Sequence, residues 1–325
     1  MAVFWSFCKA SSCKYKQIGV KCRFNFILAG IMEQILFILF LLSAGYSLKY
    51  FSFPKNFSHS LNLFIIYVSF PATILLQVPK IHFDSSLILP VMVPYAVLFL
   101  SLVFVYLFFK NEERNTKAAL LLLLPLGNTS FFGFPVLEAL VGTDAIQYGI
   151  VYDQFGSFVL LTTYGAFVIA YFSGSSVSVK HIIKKIATFP PFIFLLIAFI
   201  VGDLPVPVLP YAELLSKTLV PLAIISVGFS MQLKLDGQKD VFFKAMAVKL
   251  LLTPLVILAV FKMFGLTGEV ALTTLLESAM PPMITAGALA INAGFAPKLS
   301  AALVGYGIVF ALFSLQIFKY LHGLI

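Results

Sequence analysis

The chain has 325 residues, of which 61% are hydrophobic and 11% are charged, and its formal net charge is +9. A soluble globular protein carries about 25% charged residues, so this composition excludes an ordinary soluble domain and indicates an integral membrane protein. The basic residues lie mostly between apolar blocks, and no loop is long enough to form a basic face, so nucleic-acid binding is not expected.

Residues 1–31 differ from the rest of the chain. They are short of apolar length, rich in lysine, and hold all three cysteines, Cys8, Cys13 and Cys22. A polar stretch at 13–25 occupies the place where a signal peptide needs its apolar core. We expect that Met32 begins the working protein or that the tail is disordered. No metal site or cofactor is predicted here or elsewhere.

Windows of about 20 apolar residues predict ten membrane-spanning helices with short polar connectors. Five lie in a first half at 32–173 and five in a second half at 189–325, joined by a linker at 174–188. The predicted spans are 32–49, 60–79, 87–109, 117–141, 145–172, 189–203, 208–231, 241–264, 268–293 and 299–321.

Lysine and arginine residues predict the orientation, because they collect in cytoplasmic loops. Outside the tail they lie mostly after spans 1, 3, 5, 7 and 9, as at 110–117 and 180–185. These connectors are therefore predicted to be cytoplasmic, with both ends of the ten-helix unit outside an inner membrane. The linker is either a short amphipathic helix on the inner membrane surface or an ordinary basic linker.

Spans 4 and 9 are interrupted at mid-depth by helix breakers and small polar residues. The first break reads Leu-Gly-Asn-Thr-Ser-Phe-Phe-Gly-Phe-Pro (126–135), and the second reads Glu-Ser-Ala-Met-Pro-Pro-Met-Ile-Thr (277–285). Backbone groups stay unpaired at such depth only where protein or water satisfies them, so two breaks, one in each half, indicate a transporter binding site. Because each half has five spans, a true repeat would be inverted. The predicted fold is an all-α inverted 5+5 repeat.

The two breaks supply the candidate substrate-binding residues. Amide and hydroxyl groups offer donors and acceptors, and a half-helix that starts at a break offers free N–H groups with about half a positive charge. Two such ends meeting at mid-membrane would suit a carboxylate, whereas a single break is more simply a proline kink without a ligand. The candidates are Asn128, Thr129, Pro135, Pro281, Pro282 and Thr285.

Three charged residues, Asp153, Lys249 and Glu277, are predicted about 13–17 Å from a membrane face, at a rise of about 1.5 Å per residue. A charge at the bilayer centre costs at least about 2.5–3.5 kcal/mol, so these groups should be paired or face a cavity. Lys249 with Asp153 or Glu277 is the predicted ion pair. This ion pair either holds the broken helices together or couples transport to a proton or cation. Gln154, beside Asp153, belongs to the same group of candidates.

At these residues the chain resembles the auxin efflux carrier family of permeases, over about 32–323. The segments 152–156 and 279–287 resemble bacterial members in particular, and the residues that match the family pattern Asn-Thr-x-x-x-Gly-x-Pro are Asn128, Thr129, Gly133 and Pro135. The resemblance implies ten helices with broken, crossing helices 4 and 9, as in bile-acid sodium symporter-like carriers. It also implies a transport domain that slides past a scaffold and an Asn128 that contacts the substrate carboxylate.

The second break departs from the plant members at Pro282 and Thr285, and their long hydrophilic loop is absent. Auxin is therefore not the expected substrate, and a malonate- or malate-like acid is. The prediction is a secondary carrier rather than an enzyme, with coupling to a proton or sodium and a homodimeric state left open. Two alternatives also stay open, a cation/proton antiporter of similar fold and a membrane ligand sensor that does not transport.

Overall fold

The computed structural model describes residues 36–54, 56–81, 84–174, 178–235 and 237–324. Within these ranges the chain forms helices and connecting loops, without a β-strand, as the predicted all-α class requires. The predictions for the tail at 1–31, including its cysteines, fall outside the described residues.

The helical segments follow one another along the chain, and several contain short 3-10 or π turns. In chain order they are α1 (Leu36–Tyr50), α2 (Phe57–Lys80), α3 (Ser85–Phe108), α4 (Arg114–Leu123), α5 (Thr129–Leu140), α6 (Ala145–Ser173), α7 (Val179–Ala187), α8 (Pro190–Val201), α9 (Leu209–Ser230), α10 (Lys239–Met263), α11 (Gly268–Ser278), α12 (Ile284–Asn292) and α13 (Pro297–His322).

Six helices in the described chain are long and apolar enough to cross a membrane, namely α2, α3, α6, α9, α10 and α13. The pair α7 and α8 meets the same test as one unit bent by 55°, which raises the number to seven. This confirms a multi-pass membrane protein. The remaining predicted spans, 32–49, 117–141 and 268–293, are occupied by the shorter α1 and by the interrupted pairs α4/α5 and α11/α12.

Three helices widen into a π turn directly before a proline. The π turns are Ile65–Ser69, Thr129–Gly133 and Val248–Leu252, and the following helical turns hold Pro71, Pro135 and Pro254. Proline has no N–H, so the carbonyl four residues earlier loses its partner and the helix relaxes into a wider turn. A further π turn begins at Asp153, which places two candidate residues on irregular helix.

The buried apolar side chains form two clusters. The larger one joins α3, α4, α5, α10, α11, α12 and α13 with residues of α1, α6 and α9, and the smaller one joins α2, α8 and α9 with residues of α5 and α6. The halves of the interrupted helices pack against helices from the other part of the chain. Helix α4 contacts α12, and α11 contacts α6. The sites of interruption therefore lie inside the packed helices.

A ladder of side-chain hydrogen bonds joins α2 to α9 along most of their length. As residue numbers rise in α2 they fall in α9, so the two helices are antiparallel. Hydroxyl and amide groups commonly join membrane helices in this way. The pairs are Ser58 with Ser230 (2.9 Å), Asn62 with Ser226 (2.5 Å), Ser69 with Thr218 (2.7 Å) and Thr73 with Ser216 (2.9 Å).

Helix α1 packs closely on the other side of α9. A β-carbon added at Gly45 would overlap the backbone of Ile225, and one added at Gly228 would overlap the backbone of Leu42. Small residues permit such close approach of membrane helices. Helices α1, α2 and α9 therefore form one packed group.

The linker is helical, as one of the two alternatives for it predicted. Helix α7 begins after Ser178, whose hydroxyl accepts a hydrogen bond from the backbone N–H of His181 (3.3 Å). None of its side chains is buried, and Val179 and Ile183 are among the exposed ones. Its placement on the inner membrane surface stays a prediction.

Candidate functional site

The two predicted breaks lie side by side and pair through their backbones. The N–H of Asn128 donates to the carbonyl of Pro281 (2.8 Å), and the N–H of Met283 donates to the carbonyl of Leu126 (2.9 Å). Each interrupted helix thus satisfies backbone groups that its neighbour leaves open, as buried backbone groups require. Helices α5 and α12 both begin at this junction.

The second break contains two consecutive prolines that cannot donate backbone hydrogen bonds. Pro281 and Pro282 are buried, and their rings face α13 at Gly307. A β-carbon added at Gly307 would lie 2.9 Å from the Cδ of Pro282 and 3.4 Å from the Cβ of Pro281. Both prolines are therefore held in the junction, with their rings against a helix rather than an open space.

Asn128 and Thr129 are buried at the start of α5, each about 1% exposed. The Asn128 carbonyl accepts a hydrogen bond from the N–H of Gly133 (2.9 Å), which opens the first turn of α5. The side-chain Nδ2 of Asn128 is buried and has no hydrogen-bond partner among the described residues. A buried donor of this kind is rare in folded proteins and marks a place where a ligand or water would bind.

Asp153 is anchored by its neighbours on α5 and α6. The hydroxyl of Thr129 donates to Oδ1 of Asp153 (2.6 Å), and Nε2 of Gln154 donates to Oδ2 (2.8 Å). Both carboxylate oxygens therefore accept a hydrogen bond. The Oε1 of Gln154, in contrast, is buried without a partner in the described chain.

Glu277 at the end of α11 occupies a seat formed by two glycines. Its carboxylate oxygens lie 3.0 and 3.1 Å from where a β-carbon of Gly133 would be, and Oε1 lies 3.1 Å from that of Gly149. Both oxygens are buried and lack a hydrogen-bond partner among the described residues. Asp153 lies near enough to interact with Glu277 electrostatically. A second carboxylate therefore lies beside the first break and, unlike Asp153, has no hydrogen-bond partner among the described residues.

Lys249 reaches the same junction from α10. It is 1% exposed, and its Nζ lies 3.6 Å from where a β-carbon of Gly127 would be. The structure does not place it in direct contact with Asp153 or Glu277, because the ion pair found within 4.0 Å in the described chain is the exposed Lys80–Asp144 pair (3.6 Å). The predicted pair therefore does not form a direct salt bridge here, although all its members lie at the breaks.

Cavity A lies on the α5 side of the junction and has a volume of about 1240 Å³. Pro135 lines cavity A. The buried amide of Asn128 lies at the start of α5, about two helical turns before Pro135. The other lining residues that matter below are Thr73, Lys80, Glu138, Ser216 and Lys217.

Cavity B lies on the α12 side and has a volume of about 720 Å³. Thr285 is exposed and lines it, together with the start of α2 and the end of α9. Cavity A borders the opposite ends of α2 and α9, so the cavities lie on opposite sides of the junction. The candidate residues therefore fall into a buried group at the breaks and two residues, Pro135 and Thr285, that face different cavities.

Sequence reasoning missed three features of the site. It did not find the glycine seat of Glu277, because Gly133 and Gly149 belong to different helices. It did not include Glu138, which lines cavity A and accepts a hydrogen bond from the hydroxyl of Thr143 (3.5 Å). It also gave no role to Lys49, which lines cavity B.

A family model described as "Membrane transport protein" matches residues 30–319. The chain belongs to this family. Because it is the family of the auxin efflux carriers, the resemblance inferred from the breaks is confirmed. Membership favours a membrane transporter over an enzyme or a sensor that does not transport.

Two archaeal relatives of this family member are themselves described as uncharacterized transporters. The one from Methanocaldococcus jannaschii is 31% identical over 270 residues, which cover 77% of this chain and 85% of the relative. The one from Methanothermobacter thermautotrophicus is 26% identical over 306 residues, covering 90% of this chain and 99% of the relative. The second alignment leaves too little of this chain uncovered to miss either break.

Proposed function

We propose that this transporter is a secondary carrier that moves a small organic anion, such as a malonate- or malate-like carboxylate, across the cytoplasmic membrane. The observation that carries the proposal is the buried Nδ2 of Asn128 at the junction of the two breaks, which has no hydrogen-bond partner in the described part of the chain. A carboxylate oxygen is the natural acceptor for such a donor, and binding it would remove the penalty of an unsatisfied buried group.

Two features of the junction supply positive charge for an anion. Helices α5 and α12 both begin there, and each helix N-terminus contributes about half a positive charge that falls off within the first turn. The ammonium of Lys249 lies against Gly127 of the same break. A buried ammonium without a compensating charge is costly, and an anion at the junction would supply that charge.

We extend the proposal to an inverted repeat of ten crossings. In this arrangement α1, α2, α3, α4/α5 and α6 form the first repeat, and α8, α9, α10, α11/α12 and α13 form the second. Each repeat then has its interrupted helix in fourth place, and discontinuous helices at corresponding positions of two repeats are typical of a central transporter binding site. The antiparallel ladder supports this pairing, because it joins the second helix of one repeat to the second helix of the other.

An elevator-type alternating-access mechanism suits the packing. Helices α1, α2 and α9 would form the scaffold, and the helices around the junction would move past it. The cavities support this division, because each lies between the ladder helices and one half of an interrupted helix. The moving group would expose the junction first through one cavity and then through the other. The lysine and arginine distribution favours a cytoplasmic location for cavity B.

A cation/proton antiporter is the second candidate, and Glu277 favours it. Its two buried carboxylate oxygens have no partner in the described chain and lie near Asp153. Two neighbouring buried carboxylates bind a proton or a cation more readily than isolated surface groups do. In the carrier, the same residues would bind a coupling proton or sodium ion.

Transport by the purified protein in proteoliposomes tests these proposals. Uptake of radiolabelled malonate and malate is measured with no gradient, with a pH gradient and with a sodium gradient. Saturable carboxylate uptake that Asn128→Ala abolishes, but Asn115→Ala at the exposed start of α4 does not, supports the carrier. Proton or sodium flux without carboxylate flux supports the antiporter instead and contradicts the carrier.

A further inference from the structure

The two cavities differ in charge although they flank the same junction. Cavity B has Lys49 and His59 on its walls, and no acidic residue is found among the described residues that line it. Cavity A carries basic residues as well, but acidic residues outnumber them. Its charged lining residues are Lys80, Lys217, Glu138, Asp203 and Glu213.

Each cavity borders one of the two helices that start at the junction, α12 for cavity B and α5 for cavity A. Cavity B is bounded by α12, which starts at the junction, and by Ser58, Asn62 and Ser230 of the ladder. Cavity A is bounded by α5, which starts at the same junction, and by Thr73 and Ser216 at the other end of the ladder. The two cavities therefore have the same two kinds of wall but differ in charge, since the charged residues are basic in cavity B and mainly acidic in cavity A.

We propose that cavity B is a basic vestibule that concentrates the substrate anion, so that the carrier has a lower KM for the anion at the cavity B face than at the cavity A face. This rests on the proposed transport of an organic anion. Lys49 provides the charge, and His59 and the ladder groups Ser58 and Asn62 provide hydrogen bonds. Clefts lined by one sign of charge raise the local concentration of the opposite ion in this way.

The position of Lys49 suits a vestibule rather than a tight binding site. Its Nζ donates to the carbonyl of Met231 at the end of α9 and lies 4.6 Å from the ring centre of Tyr46. These contacts fix the ammonium at the cavity wall and leave it further donors, since an ammonium has three. A carbonyl and a ring do not neutralise the charge, which remains available to an anion in the cavity.

KM for malonate or malate is measured separately at each face, with right-side-out and inside-out vesicles at zero membrane potential. In the wild type we expect a lower KM at the face of cavity B. Lys49→Gln should raise KM at that face about threefold to tenfold, the effect of one nearby charge near a protein surface, and leave the other face unchanged. Lys49→Arg should retain the wild-type KM. Raising the ionic strength should reduce the difference between faces.

Glu213→Gln is the mirrored variant, because Glu213 is exposed on α9 and lines cavity A. It should lower KM at the cavity A face and leave the cavity B face unchanged. Equal KM values at both faces of the wild type would overturn the proposal. Equal increases of KM in Lys49→Gln and Lys49→Arg would also overturn it, because they would show that the contact with Met231 matters rather than the charge. Absence of carboxylate transport by the wild type in either vesicle type would instead overturn the proposed function, and the vestibule with it.

Discussion

The polar side chains at the breaks are of two kinds, those with hydrogen-bond partners and those without partners in the described chain. Asp153 has both carboxylate oxygens engaged, by Thr129 and Gln154, which fix the orientation of its side chain. Asn128 Nδ2 and the oxygens of Glu277 are buried without partners in the described chain. Leaving such groups unsatisfied costs roughly 1–3 kcal/mol each, so their concentration at one junction favours binding of solutes there.

The glycine seat of Glu277 gives the first prediction. Gly133→Ala places a β-carbon about 3 Å from both carboxylate oxygens and should displace Glu277, because the helix backbone at this position cannot move away. We expect a thermal unfolding temperature below that of the wild type, a destabilisation of about 1–3 kcal/mol, and a reduced transport rate. Gly165→Ala in α6 is the control, since its nearest neighbour would be 3.7 Å away. A wild-type unfolding temperature and transport rate in Gly133→Ala would show that Gly133 does not hold Glu277 in place.

The hydrogen bond from Thr129 to Asp153 gives the second prediction. Thr129→Val keeps the shape of the side chain and removes its donor, leaving a buried carboxylate oxygen without this bond. We expect a destabilisation of about 1–3 kcal/mol, measured by thermal unfolding in detergent. Thr163→Val is the matched control, because the Thr163 hydroxyl donates to the backbone carbonyl of Val159 in its own helix (2.7 Å). Equal stability of the two variants would show that the bond to Asp153 contributes nothing.

At the scale of helices, the sequence predicts where the interruptions lie but not what pairs them. Glycine and proline at 126–135 and 277–285 break the helices for reasons that are local to each segment. The hydrogen bonds from Asn128 to Pro281 and from Met283 to Leu126 join segments that are far apart in the chain, and no local pattern encodes such partners.

The predicted salt bridge of Lys249 shows the same limit. Counting residues from the ends of the predicted spans gives the depth of a charge in the membrane, and the charges do gather at the breaks. The same residue count does not show on which side of its helix a charged side chain lies. The π turns in α6 and α10 shift that direction further, because each adds a residue to a helical turn.

The ladder between α2 and α9 gives a prediction about which helices move together. With the native cysteines Cys8, Cys13 and Cys22 replaced by serine, a disulfide between Ser58→Cys and Ser230→Cys should form readily, because the two hydroxyl oxygens are 2.9 Å apart. Transport should continue at a rate within about twofold of the reduced protein, since both helices belong to one rigid unit.

A second cross-link tests the moving boundary. Ser58→Cys joined to Ala288→Cys on α12 by a flexible bismaleimide ties together the two walls of cavity B. Transport should stop, whereas the same cysteines modified by a monofunctional maleimide should still permit it. If the ladder disulfide stops transport and the link across the cavity does not, the division into scaffold and moving group is wrong.

At the scale of the whole molecule, the composition alone identifies a membrane protein, and the breaks identify its family. The positions of the cavities follow from how the helices pack, and composition and spacing do not encode this. Helix α1 illustrates the difficulty, because its close contact with α9 depends on Gly45 and Gly228, which lie in distant parts of the chain. The charge difference between the cavities likewise combines residues from several loops and helices.

Membrane orientation is a prediction at this scale. Cysteines introduced singly at Ser178, before α7, and at Glu213, at the mouth of cavity A, are labelled in intact cells with a maleimide that does not cross membranes. Glu213→Cys should be labelled from outside, and Ser178→Cys should be labelled only after the cells are opened, because basic connectors stay in the cytoplasm. The reverse labelling pattern would show that the membrane orientation is opposite to the predicted one, with cavity B outside.

Equilibrium binding of radiolabelled malonate to the purified protein tests the role of the paired breaks most directly, because it does not depend on coupling or orientation. The wild type and Asn115→Ala should bind saturably with equal Kd. Asn128→Ala should bind at least about tenfold more weakly, as expected for the loss of a buried hydrogen bond to a charged group. Saturable binding by Asn128→Ala with the wild-type Kd would show that the anion site lies elsewhere in the molecule.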